Sequence, residues 1–448
     1  TLTLTLSNDA AGTLIANGAP LTFNTARVGQ NARYTFNATA GQNLSVAWSG
    51  STFAGAWSYI YVYKPDGTQL SSAYFGGPSN GNTSGTLDFA NLLTSGVYTV
   101  FVDPLQTSTG QVSVQLWGDI PGTVVADGVP VNLTIGAGQN ARLTFAGTQG
   151  QNLGLGLSNL VTTPTGGSVS AKIYAPDNVT VVQSCPSSYT YPAPGGECDL
   201  PPLPITGTYT IVVDAGTAAA TLTLTLSNDA AGTLIANGAP LTFNTTRVGQ
   251  NARYTFNATA GETRTLYWTG STFAGAWSYL SVYAPGNGLL ANPYFGDGTS
   301  GNGTVDLGNL PTTGIYTVFV DPFQTSTGLV RLQLFSDLPG VIVIDGPALP
   351  IVLPAGRNAR LTFTGNIGQK VALRANSLTM VPSNAFMDVA IYAPDRLNLV
   401  KSCSAFAMTP YGSDCELPPL PSTGNFTVML NPRGEASATM DLYVFTVW

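Results

Sequence analysis

TLTLTLSNDAAGTLIANGAP runs from Thr1 to Pro20 and returns unchanged from Thr221 to Pro240. Its first six residues alternate strictly. Leu2, Leu4 and Leu6 fall on one face and threonines on the other, the period of a half-buried β-strand. At Thr221 the strand follows VDAGTAAA and closes a folded stretch. At Thr1 it reads as an orphan, because alone in water it exposes its leucines and a row of unpaired N–H and C=O groups. Such a strand needs a sheet to join.

The repetition extends outward from this stretch. Residues 1–41 and 221–261 differ only at Ala26 against Thr246, so the long period is 220 residues. A weaker, shorter period lies inside it. GQNAR ends at Arg33, Arg142 and Arg253 and becomes GRNAR ending at Arg360. Tyr-x-Pro recurs at Tyr63, Tyr174, Tyr283 and Tyr392. GVYTVFVDP, GTYTIVVDA, GIYTVFVDP and GNFTVMLNP start at Gly96, Gly207, Gly314 and Gly424. The junctions read GDIPG from Gly118, SNDAAG from Ser227 and SDLPG from Ser336. Four copies of about 110 residues result, an ordinary domain size.

Within each copy ARYTF, YIYVY, VYTVFV, VSVQLW and their counterparts alternate apolar and polar residues, while 51 glycines and 30 prolines supply turns. No stretch sustains a 3.6-residue period. About seven or eight short strands per copy predict an antiparallel β-sandwich. The expected fold is therefore all-β: four tandem antiparallel β-sandwich domains in A-B-A-B order. The divisions are 1–9 for the orphan or donor strand, 10–118 for A1, 119–228 for B1, 229–337 for A2 and 338–448 for B2. Junctions this short predict an extended, stiff rod of roughly 140 Å.

Only the B copies hold cysteine, as the pairs Cys185/Cys198 and Cys403/Cys415 in matching contexts. Zinc binding calls for closer pairs or histidines, and the chain has no histidine. Two local disulfides are expected, each worth about 3 kcal/mol on the chain-entropy model. Disulfides imply an extracellular or cell-surface location. The chain starts at Thr, without a signal peptide, and reads as a processed or excised mature chain. No apolar run is long enough to span a membrane. Charged residues are 9 % of the chain and the net charge is −7 with no basic cluster, which argues against nucleic acid as a partner.

With GQNARLTF, Y-x-PD, L-P-x-T-G-x-YT-x-VVD and a closing TLTLTL in that order, the copies resemble the β-sandwich domains of bacterial secreted proteins related to the pre-peptidase C-terminal family. The resemblance covers all four copies. It implies extracellular, non-catalytic accessory modules, some of which bind polymers or calcium. It transfers no catalytic residue. No dense acidic run of the kind that calcium needs is present, and no cofactor or metal is expected.

Three residue sets are candidates for function. Asp103, Asp214 and Asp321 recur at a strand end, and Asn431 replaces them in the fourth copy. A turn-forming role tolerates that exchange and a catalytic carboxylate does not, so no enzyme is expected. The four GQNAR arginines read as structural, with stems over apolar surface and forks tying turns. Trp57, Tyr59, Tyr61 and Tyr63 share one face of a strand whose B-copy equivalents are Ser168, Ser170, Lys172 and Tyr174, so that face is expected to be solvated. In the third copy Trp277, Tyr279 and Tyr283 remain. This aromatic face is a candidate interface for another subunit or for sugar rings. The third set is Thr1, Leu2, Thr3, Leu4, Thr5, Leu6 and Ser7, a strand with three competing readings: it folds back on the first copy, it is the trace of a longer repeat array cut before Thr1, or, as the leading expectation, it enters a neighbouring copy by strand addition. Copies one and three close with VSVQLW and VRLQLF, and copy four with MDLYVFTVW. The donated strand is therefore expected to add to an edge of copy four or to fill a preformed, deep groove there. The leading expectation is a structural subunit of an extracellular fibre or surface filament, polymerising head to tail with copies of itself. The alternative is a secreted carbohydrate- or matrix-binding module array.

Overall fold

The ARYTF and G-x-Y-T blocks become neighbouring strands in every copy, and their aromatic residues meet across the ladder. Phe36 stacks on Tyr98 at 5.2 Å, Phe145 on Tyr209 at 5.2 Å, Phe256 on Tyr316 at 5.1 Å and Phe363 on Phe426 at 5.3 Å. The buried tyrosines keep their hydroxyls satisfied by donating to a carbonyl four residues upstream, as Tyr98 does to Thr94 O at 2.7 Å. The computed structural model describes residues 3–54, 57–185, 188–189, 195–274, 277–296, 301–404 and 414–447. Among them there is no α-helix and nothing helical long or apolar enough to cross a membrane.

The chain divides into two compact units. One comprises Thr1–Asn228 with Arg247–Gln250, the other Asp229–Thr246 with Asn251–Trp448. The first unit begins with β1 (Ala10–Thr13), β2 (Leu21–Thr25), β3 (Ala32–Ala38), β4 (Leu44–Ser49), β5 (Ser58–Tyr63), β6 (Gln69–Phe75), β7 (Gly85–Phe89), β8 (Gly96–Asp103) and β9 (Gly110–Gly118). These form two sheets, β1-β3-β8-β5-β6 and β2-β9-β4-β7. Their apolar faces close over a core that includes Phe23, Phe53, Phe75 and Val100. Next come β10 (Ile120–Thr123), β11 (Val131–Ile135), β12 (Asn140–Gly147), β13 (Leu153–Thr163), β14 (Ser168–Tyr174), β15 (Val181–Ser184), β16 (Ser188–Tyr189), β17 (Gly196–Asp199), β18 (Gly207–Asp214) and β19 (Ala219–Asn228). They build β10-β12-β18-β14-β15, with β16 also on β14, and β11-β19-β13-β17. A second core lies between them, rich in leucine and valine. The second unit repeats the same strand orders around two cores of its own.

The expectation of antiparallel sheets is corrected at one strand per core. β1 runs parallel to β3 and β10 parallel to β12. In the second unit Ala230–Thr233 runs parallel to Ala252–Ala258, and Leu338–Val341 to Ala359–Gly365. The cause is the connection: after β1 the chain crosses to the opposite sheet as β2 and returns as β3, which supplies the crossover a parallel pair requires. The sheets are mixed.

Both cysteine pairs are disulfides, Cys185–Cys198 and Cys403–Cys415. Each ties its two sheets together. Cys185 follows β15 and Cys198 lies on β17, while Cys403 and Cys415 lie on Leu399–Ser404 and Asp414–Glu416 of the two corresponding sheets.

Candidate assembly interface

The repeated opening stretch occupies two different environments. As part of β19, Thr221–Asn228 is a central strand, paired with β11 on one side and β13 on the other. Leu222, Leu224 and Leu226 are buried in the core. Residues 3–9 belong to no strand, and Leu4 and Leu6 are 92 % and 93 % exposed. Thr1 and Leu2 lie outside the described residues. The open groove expected in copy four is not found at the equivalent place. The strand Ser437–Thr446 fills it, pairing with Leu349–Leu353 and Val371–Val381.

Behind this segment the junction motif and the GQNAR arginine form a clamp. Arg33 Nε donates to Asp9 Oδ2 at 2.7 Å, Arg142 to Asp119 at 2.9 Å, Arg253 to Asp229 at 2.7 Å and Arg360 to Asp337 at 2.9 Å. The guanidinium planes of Arg33 and Arg253 also cover Phe101 and Phe319 at 4.1 Å. Arginine suits this task because its flat, weakly hydrated fork binds a carboxylate and a ring face at once. Burial pushes the carboxyls of Asp119 and Asp229 above their ordinary range, and the arginines pull them back. The first clamp is the open one: the Asp9 side chain is 31 % exposed, against 7 %, 4 % and 6 % for Asp119, Asp229 and Asp337.

The turn before each arginine explains the difference. Its glycine has positive φ in all four copies: 74° at Gly29, 80° at Gly138, 73° at Gly249 and 79° at Gly356. In three copies that glycine presses on a sheet. A Cβ on Gly138 would lie 2.4 Å from Ala47 Cβ, one on Gly249 2.7 Å from Gly156 N, and one on Gly356 2.5 Å from Tyr267 Cγ. A Cβ on Gly29 would meet nothing within 4 Å beyond its chain neighbours. The Arg247–Gln250 turn is also tied by side chains. Arg247 Nε donates to Ser227 Oγ at 2.8 Å, Nη1 to Gly128 O at 2.9 Å and Nη2 to Leu226 O at 3.0 Å, while Thr225 Oγ1 donates to Val248 O at 2.7 Å. The identical turn at Arg27–Gln30 is held locally, Arg27 N donating to Thr25 Oγ1 at 2.9 Å, and reaches the 3–9 segment through Gln30 Nε2, which donates to Asn8 O at 3.2 Å. The Ser7 hydroxyl, twin of Ser227, is enclosed without a hydrogen-bond partner, and Val28 is 45 % exposed.

Of the aromatic candidates, Tyr59 and Tyr61 lie with Tyr63 on the outer face of β5, whose Ile60 and Val62 point into the core, and Trp57 immediately precedes that strand. Tyr59 and Tyr61 stack at 5.4 Å, Tyr61 and Tyr63 at 6.2 Å, and Tyr61 and Phe101 at 6.3 Å. Trp57 leans on Tyr74 at 5.1 Å, and both rings are about half exposed. In the second unit Trp277 leans on Tyr294 at 5.8 Å and Tyr279 keeps its place, but the ladder is broken. Ser281 replaces Tyr61 and hydrogen-bonds Asn292 at 2.8 Å.

Each unit also has a polar seam between its two cores. In the first, Asn140 Nδ2 donates to Asp88 Oδ1 at 2.9 Å, beside a cavity of about 220 Å³ also lined by Asp119, Arg142, Lys172 and Asp214. Burial raises the Asp88 carboxyl, Asn140 partly offsets this, and the charges of Asp214 and Asp119 add to the rise. In the second, Asp306 accepts from Asn358 at 2.6 Å and from Asn431 at 2.6 Å, so an amide stands where Asp214 stands in the first. The recurring strand-end carboxylate takes the turn role at Asp214, whose Oδ1 accepts from Gly216 N at 2.6 Å.

Residues 30–104 match the bacterial pre-peptidase C-terminal domain. The match to this domain begins in the first GQNAR turn and ends after β8. It therefore agrees with the family resemblance read from the motifs and leaves the 3–9 segment outside. No curated protein matches the chain in sequence. Among solved structures, the chain is similar to the periplasmic lysozyme inhibitor PliG of Aeromonas hydrophila (19 % identity, 24 % of this chain and 99 % of that one, TM-score 0.18). It is also similar to the CUB1-EGF-CUB2 domains of rat MASP-1 (7 %, 49 % and 100 %, TM-score 0.18) and to a protein of the Sulfolobus turreted icosahedral virus (12 %, 70 % and 89 %, TM-score 0.17). Superpositions this weak carry no functional argument.

Proposed function

We propose that the chain is a structural subunit of an extracellular fibre or surface filament. In this reading it consists of four tandem β-sandwich domains in A-B-A-B order, joined head to tail to neighbouring copies by donation of the strand Thr1–Ser7. The observation that carries the proposal is the contrast between Leu4 and Leu6, exposed and outside any sheet, and Leu224 and Leu226, buried in an identical sequence. Burying each leucine contributes about 1.5–3 kcal/mol, and each ladder hydrogen bond about 1 kcal/mol. Ordering the segment costs roughly 1–2 kcal/mol per residue, so the receiving site has to be largely preformed. Two disulfides fit an oxidising, extracellular setting, and a surface poor in charge fits close lateral and end-to-end contact. The role is mechanical: cohesion, attachment or matrix formation. Deletion of residues 1–8, or Leu4→Asp, is expected to give folded chains that stay monomeric in sedimentation and form no fibres in electron micrographs. Fibres from the truncated chain would contradict the proposal.

The exposed Trp57–Tyr74 pair supports a second reading, a carbohydrate- or matrix-binding array in which that pair stacks on sugar rings. Binding of soluble monomer to a glycan array, lost on Trp57→Ala, is its signature. An array without hits contradicts it.

A further inference from the structure

We infer that the polar seam between the two cores of the first unit is a binding groove for a neutral oligosaccharide, in which Asp88 and Asp214 accept hydrogen bonds from the hydroxyls of one central sugar. The inference is independent of strand donation. Its site is also separate from the Trp57–Tyr74 pair, which lies at the opposite end of the β5–β6 hairpin from Lys64 and Asp66 in the groove wall.

Strand register builds the floor. On the outer face of β12, β18 and β14, Asn140, Asp214 and Ser170 form one cross-strand row, and Arg142, Val212 and Lys172 form the next. The alternate residues Ala141, Val213 and Ala171 point into the core, which fixes the direction of both rows. β7 supplies the facing wall through Asp88, which Asn140 Nδ2 holds at 2.9 Å. The central cavity of about 220 Å³ takes one sugar ring and is smaller than the pockets that enclose drug-sized ligands. Two cavities of about 450 Å³ adjoin it. One shares Asp88, Phe89 and Ala90 with it and reaches Lys64 and Leu93. The other shares Ser170 and Asp214 and reaches Gly167, Ser168 and Thr217. A chain of several sugar units matches this series better than a single ring does.

Charge selects the ligand. Arg142 takes up Asp119, which leaves Asp88 and Asp214 as the acceptors that face the cavity. Lys172, without an ion pair among the described residues, is the donor beside them. An anion would face two carboxylates, and a cation would lie against the lysine. A hydroxyl donates to the first and accepts from the second, so a neutral polyol satisfies both. The second unit shows the same place with these needs met from within. Asn431 stands where Asp214 does and donates to Asp306 at 2.6 Å. Asp388 stands where Ser170 does, and Arg433 holds it at two points, 2.6 and 2.8 Å. Ala390 replaces Lys172. There the chain's own amide and guanidinium supply the donors. The first unit has a carboxylate and Gly216 at those two positions, so in the first seam the donors come from the ligand.

The test is calorimetric titration of the full, disulfide-intact chain with neutral hexasaccharides of glucose, mannose and N-acetylglucosamine. Oligogalacturonate, spermidine and calcium chloride are titrated in parallel. At least one neutral sugar is expected to bind at one site per chain, and more tightly than any of the charged probes. Asp214→Asn installs the amide that the second unit already carries, so the fold is kept, and it should weaken sugar binding about tenfold or more. Lys172→Ala, at an exposed position, should weaken it about tenfold. The inference is overturned if no neutral sugar binds, or if a charged probe binds more tightly than every sugar. Two equivalent sites per chain would overturn the contrast between the seams on which it rests. Sugar binding that Asp214→Asn leaves unchanged overturns it as well. If Trp57→Ala then removes that binding, the sugar sits on the Trp57–Tyr74 pair, and the carbohydrate-array reading stands while this one falls.

Discussion

Residues 3–8 and 223–228 are the same six residues, yet one set is solvent-exposed chain and the other is the middle of a sheet. The difference teaches that TLTLTLSN carries the period of a strand but not the strand. Its backbone needs ladders on both sides, and its leucines need the sheet opposite. β11 and β13 supply these at Thr221–Asn228. The comparison can be broken by paired substitutions, because each change has an internal control elsewhere in the chain.

The largest effect is expected at the leucines. Leu224→Ala removes a fully buried side chain and should cost about 2–5 kcal/mol, while Leu4→Ala in the dispersed chain should cost less than about 0.5 kcal/mol. Chemical denaturation of the two variants measures both, and equal costs would show residues 3–8 packed in the monomer. Next come the turn arginines. Arg247→Ala loses hydrogen bonds to Ser227, Gly128 and Leu226 and should destabilise the first unit by about 1.5–3 kcal/mol. Arg27→Ala, whose guanidinium makes no such bonds among the described residues, should leave the unfolding midpoint of the dispersed chain unchanged.

The smallest effect compares the two polar seams. Asp88 shares its cavity with Asp214, whereas Asp306 is held by the Asn431 amide. A carboxyl raised in the folded state by burial adds no penalty at pH below its unfolded value. It destabilises progressively as pH rises through the folded value. Asp214→Asn places a donor opposite Asp88 and removes a like charge. Because Asp88 is itself exposed, solvent screens the effect, so the first unit should gain less than about 1 kcal/mol near neutral pH, and the gain over wild type should shrink as pH falls below the folded value of Asp88. Thermal melts of both proteins from pH 4 to 7 give this difference, and a gain that does not change with pH contradicts the account.

Much of the fold was legible because alternation is a local signal. ARYTF and VYTVFV showed which side chains face inward, and the repeats showed that the same strands recur. The short parallel strands were missed because AAGT, IPGT and LPGV contain too few apolar residues to alternate. The outward direction of Trp57, Tyr59 and Tyr61 was readable from their polar replacements in the B copies, but Tyr74 and Phe101 join them from other strands and leave no mark nearby. The Asp–Arg clamp spans 23 or 24 residues, beyond any local pattern. Its one sequence signal is co-repetition: each junction aspartate precedes a GQNAR or GRNAR arginine by that interval. The docking of the turn glycines had no signal, since Gly29 and Gly249 lie in identical sequence and differ only in what stands against them.

The central claim is that residues 3–8 become a buried strand only on assembly, and a probe on the segment tests it most directly. The described chain has no free cysteine, so Thr3→Cys offers a single site for a nitroxide, and Thr223→Cys gives the matched control. In dispersed chains the spectrum at position 3 should be that of a fast, unrestrained label, unlike position 223. In assembled material the account predicts that the two spectra converge on the restrained form. A label at position 3 that stays as fast in the fibre as in the monomer would contradict it.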